Sequence, residues 1–456
     1  MLILIHIIGQ LLAHTPSALL RGLCICLGHI IYWFAGERKT AALRSMHHGI
    51  PNEDDNWRRA AFKESCNRTV EMALLVMALP YLSSKRVSKL LQPLDEVASS
   101  HIDDMLKDVP VVLLLPHFTL SEATVTLPLH ASKIKGKTST IFRPLNNPKL
   151  NHWVEKSRSR FGVNMISRKN GYSAAIKELE KNNAVALLFD QNASGKGSLV
   201  HMMDRVTSAT ELPGLLAHKK NALTYVAYPE RIGFWQARMH FIPIDRGTHP
   251  IHVTLAANDW LEDYLRSSVD HCADWLWLHN RWGSPQNPRH RFHLKDKRNR
   301  LKEEAIYRNN VPHKRPTSVW LNLPEREADF LDLSDMVRKV RQIRPDYALC
   351  LIGRHTKETM RAHFGTLPDK IVELTANPEE RLIAIRQIAT DYPDVWINLQ
   401  TSRQSLKESR ASQAHQRFGI DNIRNARKHL THLAPGPTDT WKPFFEKFGL
   451  RAEEDA

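Results

Sequence analysis

Hydrophobic and polar positions follow three different rhythms along the chain. Residues 1 to 36 are apolar almost throughout. Met1 to Leu20 carries no formal charge, Arg21 interrupts, and Gly22 to Gly36 is apolar again. A membrane-spanning helix needs about 20 apolar residues. Pro16 and Arg21 divide this stretch, so it reads as a single span or as a helical hairpin lying in the interface, with a buried soluble helix pair as the bland alternative. No basic residue precedes the apolar run and no small-x-small cleavage site ends it, so a cleaved signal peptide is not expected. The basic flank Arg38, Lys39 and Arg44 predicts that the adjoining domain lies on the cytoplasmic side.

A helical period comes next. Asn52 to Asp55 is a start signal, and Trp57, Ala61, Phe62, Cys66, Val70, Ala73 and Leu74 recur at helical spacing up to about residue 106. From Val111 onward short apolar runs alternate with amphipathic segments. Strands are expected at 111–115, 138–142, 163–166, 184–189, 223–228 and 237–244. Helices are expected from 122 to 129, 151 to 161, 172 to 181 and 258 to 270. This alternation predicts an α/β layered domain with a mixed or parallel sheet. After a linker rich in Pro, Arg, Lys and His comes a second α/β unit: strands at 318–323, 347–352 and 395–399, helices at 331–343 and 378–390. It has the size of one small Rossmann-like domain and lacks both G-x-G-x-x-G and a Walker loop. The expected division is an anchor (1–36), a first α/β domain (37–285), a basic linker (286–316) and a second domain (317–456).

Composition sharpens this. The net charge is +16, which favours anionic partners: nucleic acid, acidic phospholipid, a phosphorylated substrate or an acidic carrier protein. The basic run Arg289 to Arg300 reads as a charged tether or as a patch for an anionic membrane surface. Aromatic residues do not interleave with it, so nucleic-acid binding is not expected. Five scattered cysteines, Cys24, Cys26, Cys66, Cys272 and Cys350, pair with no histidine at metal-ligand spacing; no metal and no structural disulfide are expected.

The candidate chemistry sits at strand ends. Val111 to Leu115 is a buried strand that Pro116 terminates; His117 is next, with Glu122 five residues on. Ligands in open α/β sheets bind beyond the carboxyl ends of the strands, and His117, Arg143, Arg168 and Asp190 each fall at or just after such an end, so the four can converge. Histidine suits a general base, and Glu122 is the expected carboxylate that orients it. Arg143 and Arg168 have the fork that clamps phosphate, and Asp190 would orient one of them. Ser121 lacks a G-x-S-x-G elbow and is not assigned as a nucleophile.

With these residues in place, residues 1 to roughly 285 resemble the late lipid A acyltransferases, the lauroyl and myristoyl transferases of Gram-negative inner membranes. The resemblance rests on the apolar N-terminus, Arg38 to Pro51, Phe62 to Glu71, His117 and Glu122 as the His-x4-Glu signature, Arg143-Pro144, Asn147-Pro148, Arg160, Gly162, Arg168, Asp190-Gln191 and the aromatic block Trp275 to Trp282. Pro116, Thr119-Leu120-Ser121 and the stretch Ser198 to Arg205 depart from the family pattern. Residues 317–456 resemble the N-terminal half of the heptosyltransferases of the glycosyltransferase family 9 class, through Asp329 before Pro345, Ile397 to Ser405, Arg417 to Asp421 and His429 to His432. Ala328 stands where that family has a glycine, and its nucleotide-sugar domain has no counterpart, so Asp329 is expected to mark a vestigial site in a non-catalytic remnant.

The resemblance implies transfer of an acyl group from an acyl carrier protein thioester to a hydroxyl of a lipid A precursor, without a cofactor, at the cytoplasmic face of the inner membrane. It implies His117 and Glu122 as the catalytic dyad, and binding of substrate by Arg143, Arg168 and Asp190. Two other readings stay open: acylation of another lipid alcohol or glycerophospholipid, and a catalytically weakened scaffold in lipopolysaccharide assembly.

Overall fold

The structure is a computed structural model. It describes residues 2–105, 107–194, 197–283, 299–309, 317–421, 424–436 and 440–448. Among these, the strands form two six-stranded sheets and one two-stranded ribbon.

The apolar N-terminus folds as two helices, α1 (Leu2–His14) and α2 (Ser17–Phe34), broken at Pro16. Proline lacks the N–H needed to continue a helix interior and here opens the second one. Both pack on α4 (Asp55–Ala78), which Asp54 caps by accepting the Trp57 N–H at 2.7 Å. The approach is close enough to need glycine. A Cβ at Gly28 would lie 2.6 Å from Asn67 Cα, and one at Gly9 would lie 2.6 Å from the Met77 carbonyl oxygen. The outward faces are apolar and exposed, with Leu4, Ile7, Leu11, Leu19, Trp33 and Phe34 in the open. The third helix, α3 (Glu37–Gly49), carries Arg44, His47 and His48.

The first sheet has the order β3-β2-β4-β1-β7-β8. Its strands are β1 (Val111–Leu115), β2 (Thr138–Phe142), β3 (Asn164–Ser167), β4 (Ala184–Leu188), β7 (Leu223–Gly233) and β8 (Gln236–Pro243). All pairs are parallel except the closing hairpin β7–β8. Central β1 explains its unbroken apolar run. Val111 and Leu113 enter one hydrophobic cluster, while Val112 and Leu114 enter the other, so both faces of the strand are covered. A ribbon of β5 (Ser198–Met202) and β6 (Arg205–Ala209) comes after β4; the alternation of apolar runs did not predict it.

Residues 122–129, expected as an α-helix, form a 3-10 segment (Ser121–Leu129) that contains Pro128. The segment read as a linker contains a helix. Helix Leu301–Tyr307 docks on the first domain through Glu304 to His201 (3.0 Å) and Arg308 to Asp259 (2.7 Å). Most of the basic run Arg289 to Arg300 lies outside the described residues.

The second sheet is parallel throughout, with the order β11-β10-β9-β12-β13-β14. It is built from β9 (Thr317–Asn322), β10 (Tyr347–Gly353), β11 (Lys370–Glu373), β12 (Val395–Asn398), β13 (Gln416–Ile420) and β14 (His432–Ala434). It meets the first domain at the amino ends of its strands. Asp394, just before β12, is buried and accepts from Arg205 at 2.6 Å and from the Ser318 N–H at 3.0 Å. Arg44 lies 3.8 Å from it. His48 Nε2 donates to the Tyr392 carbonyl at 3.1 Å, and the His47 and Tyr392 rings pack 5.2 Å apart. Burial pushes the His48 imidazole down to about 3, and the charge of Arg205 adds to this. His48 is therefore neutral at pH 7. The charge of Asp394 is balanced by Arg205 and Arg44, which outweigh its burial and hold the carboxyl below its ordinary value.

Candidate active site

Strands β1 and β4 are neighbours in register, with Leu115 opposite Leu188. Two residues beyond each stand His117 and Asp190, and the register brings them together. His117 Nδ1 lies 2.6 Å from Asp190 Oδ1, and the His117 backbone N–H donates to Oδ2 at 2.8 Å. Trp275 Nε1 also donates to Oδ2, at 2.6 Å. Burial alone would raise the Asp190 carboxyl, but the His117 charge and these hydrogen bonds outweigh it and hold the group below the ordinary carboxylate range. An ionised Asp190 requires a proton on Nδ1. Nε2 is then the basic nitrogen, and it has no protein partner among the described residues.

The backbone around His117 is fixed from two sides. Ser121 Oγ donates to the Pro116 carbonyl at 2.8 Å and accepts the Phe118 N–H at 2.9 Å. The hydroxyl next to Glu122 thus staples the turn that Pro116 opens. On the other side, Thr119 N donates to the Asp274 carbonyl and Leu276 N to the His117 carbonyl, at 3.0 and 3.2 Å. The aromatic block Trp275 to Trp282 therefore holds both members of the pair.

Glu122 does not contact the imidazole. Its two carboxylate oxygens take the guanidinium of Arg158, at 2.8 Å each. Arg158 comes from the last turn of helix Pro148–Ser159; its charge is strengthened by Glu122, which overcomes its burial. The contact with the imidazole expected of Glu122 is made by Asp190. Asp190, expected beside an arginine, bonds to His117 instead. No local sequence signal marks Arg158, since 36 positions separate it from Glu122. Arg143 and Arg168 come just after the ends of β2 and β3, whose last residues pair as Phe142 and Ser167. They lie on the same carboxyl edge as the His117 pair, further out, and both are exposed.

Other residues of the family pattern hold the scaffold. Asn147 caps its helix by accepting the N–H groups of Lys149 and Leu150, with Pro148 in the first turn. Arg160 donates to the carbonyls of Leu79, Pro80 and Leu82. Gly162 has φ +94, and a Cβ there would meet Lys135 at 2.5 Å. Glu71 is buried between Arg231 (3.1 Å) and the Trp235 N–H (3.0 Å).

Two cavities share wall residues near His117. A small one is bounded by Ser65, Arg68, Thr69, His117 and Thr119. A larger one, about 520 Å³, is bounded by α3, by residues 276–280 and by His415, just before β13 of the second domain. Thr69 and Leu276 line both.

In the second domain, Asp329 opens helix Phe330–Ile343 and pairs with Arg326 at 2.9 Å. The sheet's strand order reverses between β9 and β12, the position where open α/β sheets bind ligands. Here side chains fill it. Gln400 Nε2 donates to Asn322 Oδ1 (3.1 Å) and to the Leu323 carbonyl (2.8 Å), and Asn322 Nδ2 donates to Asn398 Oδ1 (3.2 Å). Among the described residues no group of three or more His, Cys, Asp or Glu side chains is disposed to hold a metal ion.

Comparison with known proteins gives one family. The model described as bacterial lipid A biosynthesis acyltransferase matches residues 1–284. No curated protein matches the chain closely enough to count as a relative. A solved structure from Veillonella parvula DSM 2008, described as glycosyl transferase family 9, is similar at 11% identity with a TM-score of 0.26. The similarity covers 30% of this chain and 42% of that one.

Proposed function

The chain belongs to the bacterial lipid A biosynthesis acyltransferase family, and from that premise we propose that His117 is the base of an acyl transfer from an acyl carrier protein thioester to a hydroxyl of a lipid A precursor. The observation that carries this reading is the 2.6 Å contact between His117 Nδ1 and buried Asp190.

In the proposed step the acceptor hydroxyl gives its proton to Nε2 as its oxygen attacks the thioester carbonyl. Asp190 holds the tautomer and stabilises the imidazolium, as the acid does in hydrolase triads. The carbon–sulfur bond then breaks, and the thiolate leaves with the proton from Nε2. The acyl group passes directly to the acceptor, so no protein nucleophile is needed. Glu122 positions Arg158, whose guanidinium is one candidate to meet the developing oxyanion or a substrate phosphate. Arg143 and Arg168 extend this cationic edge. The exposed apolar faces of α1 and α2 support binding to the bilayer. The helix α1 has 13 residues, about 20 Å at 1.5 Å per residue, against about 30 Å of hydrocarbon. A hairpin half-sunk in the cytoplasmic leaflet suits that length better than two spans. The net charge of +16 would steer an acidic carrier toward the enzyme. Asn322, Asn398 and Gln400, paired with one another at the strand-order reversal, support a second domain that transfers no sugar.

Mass spectrometry of lipid A from cells lacking the protein tests the acceptor. Loss of one acyl chain from lipid A is expected. An unchanged lipid A with an altered phospholipid profile would favour another lipid alcohol.

A further inference from the structure

The larger cavity joins the two domains, and the acyl-transfer step as derived from His117, Asp190 and Arg158 makes no use of it. Thr69 and Leu276 line both the small pocket at His117 and this cavity. Its outer rim carries Glu37 and Arg38, the first residues of α3, three and four positions after exposed Phe34 at the end of α2. Trp33 and Phe34 are 72% and 84% exposed, and Lys39 Nζ sits 3.7 Å over the Tyr32 ring. Aromatic and lysine side chains of this kind settle at the headgroup level of a bilayer. The opening thus lies where the polar end of a membrane-held amphiphile would be found. Between rim and base lie the Asn280 amide and the hydroxyls of Ser45 and Thr69, which donate to the Ala41 and Ser65 carbonyls and keep their acceptor lone pairs, beside the Trp277 and Trp282 rings. Ala42 and Leu278 line the cavity as well, so the walls pair apolar and aromatic surface with a few polar groups, as a ring-stacked sugar needs, and the volume is that of a small-molecule site. One wall is His415, from the second domain. The buried contact of Asp394 with Arg205 holds that domain in place.

We propose that this cavity receives the phosphorylated sugar headgroup of the acceptor lipid and that the second domain completes it through His415. The inference rests on the acyl-transfer reading above and adds where the acceptor sits. Arg38 meets the phosphate at the rim. The hydroxyl-bearing part of the acceptor reaches His117 past Thr69 and Leu276. The glycosyltransferase-like unit then acts as a wall of the acyltransferase site.

The test is steady-state kinetics of the full chain in mixed micelles, with an acyl carrier protein thioester and a lipid A precursor supplied with and without its phosphates. Ala41→Trp, which fills the cavity from α3, and His415→Ala, which removes the distant wall, are each expected to raise the acceptor KM at least fivefold and leave the donor KM unchanged. Arg38→Ala should raise the KM of the phosphorylated acceptor alone. The His415 variant alters only the second domain, so it decides the question should Ala41→Trp fail to fold. An unchanged acceptor KM, or a rise confined to the donor KM, overturns the inference. If the unmodified protein acylates no lipid A precursor at all, it is the acyl-transfer reading that fails.

Discussion

His117 and Asp190 are 73 positions apart in the chain and 2.6 Å apart in space, each two residues past the end of neighbouring parallel strands. The register of β1 against β4 creates the pair, and Trp275 supplies a second donor to the carboxylate. Replacing Asp190 with Asn keeps the shape and removes the charge that selects the tautomer. Loss of kcat by about 10³-fold is expected, with the melting temperature little changed. Comparable activity in Asp190→Asn and the unmodified protein would show that the carboxylate does not position the base.

Glu122 and Arg158 are expected to behave as one unit, because each takes both prongs of the other. Glu122→Gln and Arg158→Met should lower activity to a similar extent. The double variant should be little worse than either single one, with a coupling of about 0.5–3 kcal/mol. Additive losses would mean that Glu122 acts on its own, as its place in the sequence motif suggests.

The same pair marks the limit of what the sequence reveals. The strand, the Pro116 break and the placing of His117 just past the strand end are legible because a fully buried strand leaves an unbroken apolar run. Asp190 is legible as a strand-end residue, but its partner is not. Spacing favours Glu122, five residues away, whereas strand order decides the contact, and strand order is a non-local property. Arg158 and the ribbon of β5 and β6 left no local pattern strong enough to read. Helix Leu301–Tyr307 falls inside the stretch read as a linker (286–316), because the partners that seat Glu304 and Arg308, His201 and Asp259, are distant in sequence.

The domain junction should be acid-sensitive. Asp394→Asn leaves Arg205 and Arg44 buried without their counter-charge, and a stability loss of about 3–5 kcal/mol is expected by denaturant unfolding. The pH dependence has a definite sign. His48 is held down from 6.5 to about 3 in the folded protein. As pH falls through that window the unfolded chain takes up a proton that the folded chain refuses, and stability declines. The depressed Asp394 carboxyl adds its loss only at lower pH, as it protonates in the folded state. Melting temperatures at pH 7 and pH 5 should differ less in His48→Gln, which can still donate to Tyr392, than in the unmodified protein. An equal difference in the two proteins would show that His48 does not set the acid sensitivity.

Membrane attachment should depend on the outer faces of α1 and α2. Leu11 and Trp33 are exposed, and burying each in lipid is worth about 1.5–3 kcal/mol. The pair Leu11→Asp and Trp33→Asp should move the protein from the vesicle fraction to the soluble fraction in flotation on anionic liposomes. Unaltered flotation would place the contact elsewhere on the molecule.

The central claim is that His117 is the base of the transfer. Its most direct test is a single-turnover assay of the purified full chain with a labelled acyl carrier protein thioester and a lipid A precursor, comparing the unmodified protein with His117→Ala. A loss of rate of about 10³-fold or more, in a variant that melts at the same temperature, is predicted. A folded His117→Ala protein that retains transfer within about tenfold of the unmodified rate would contradict it.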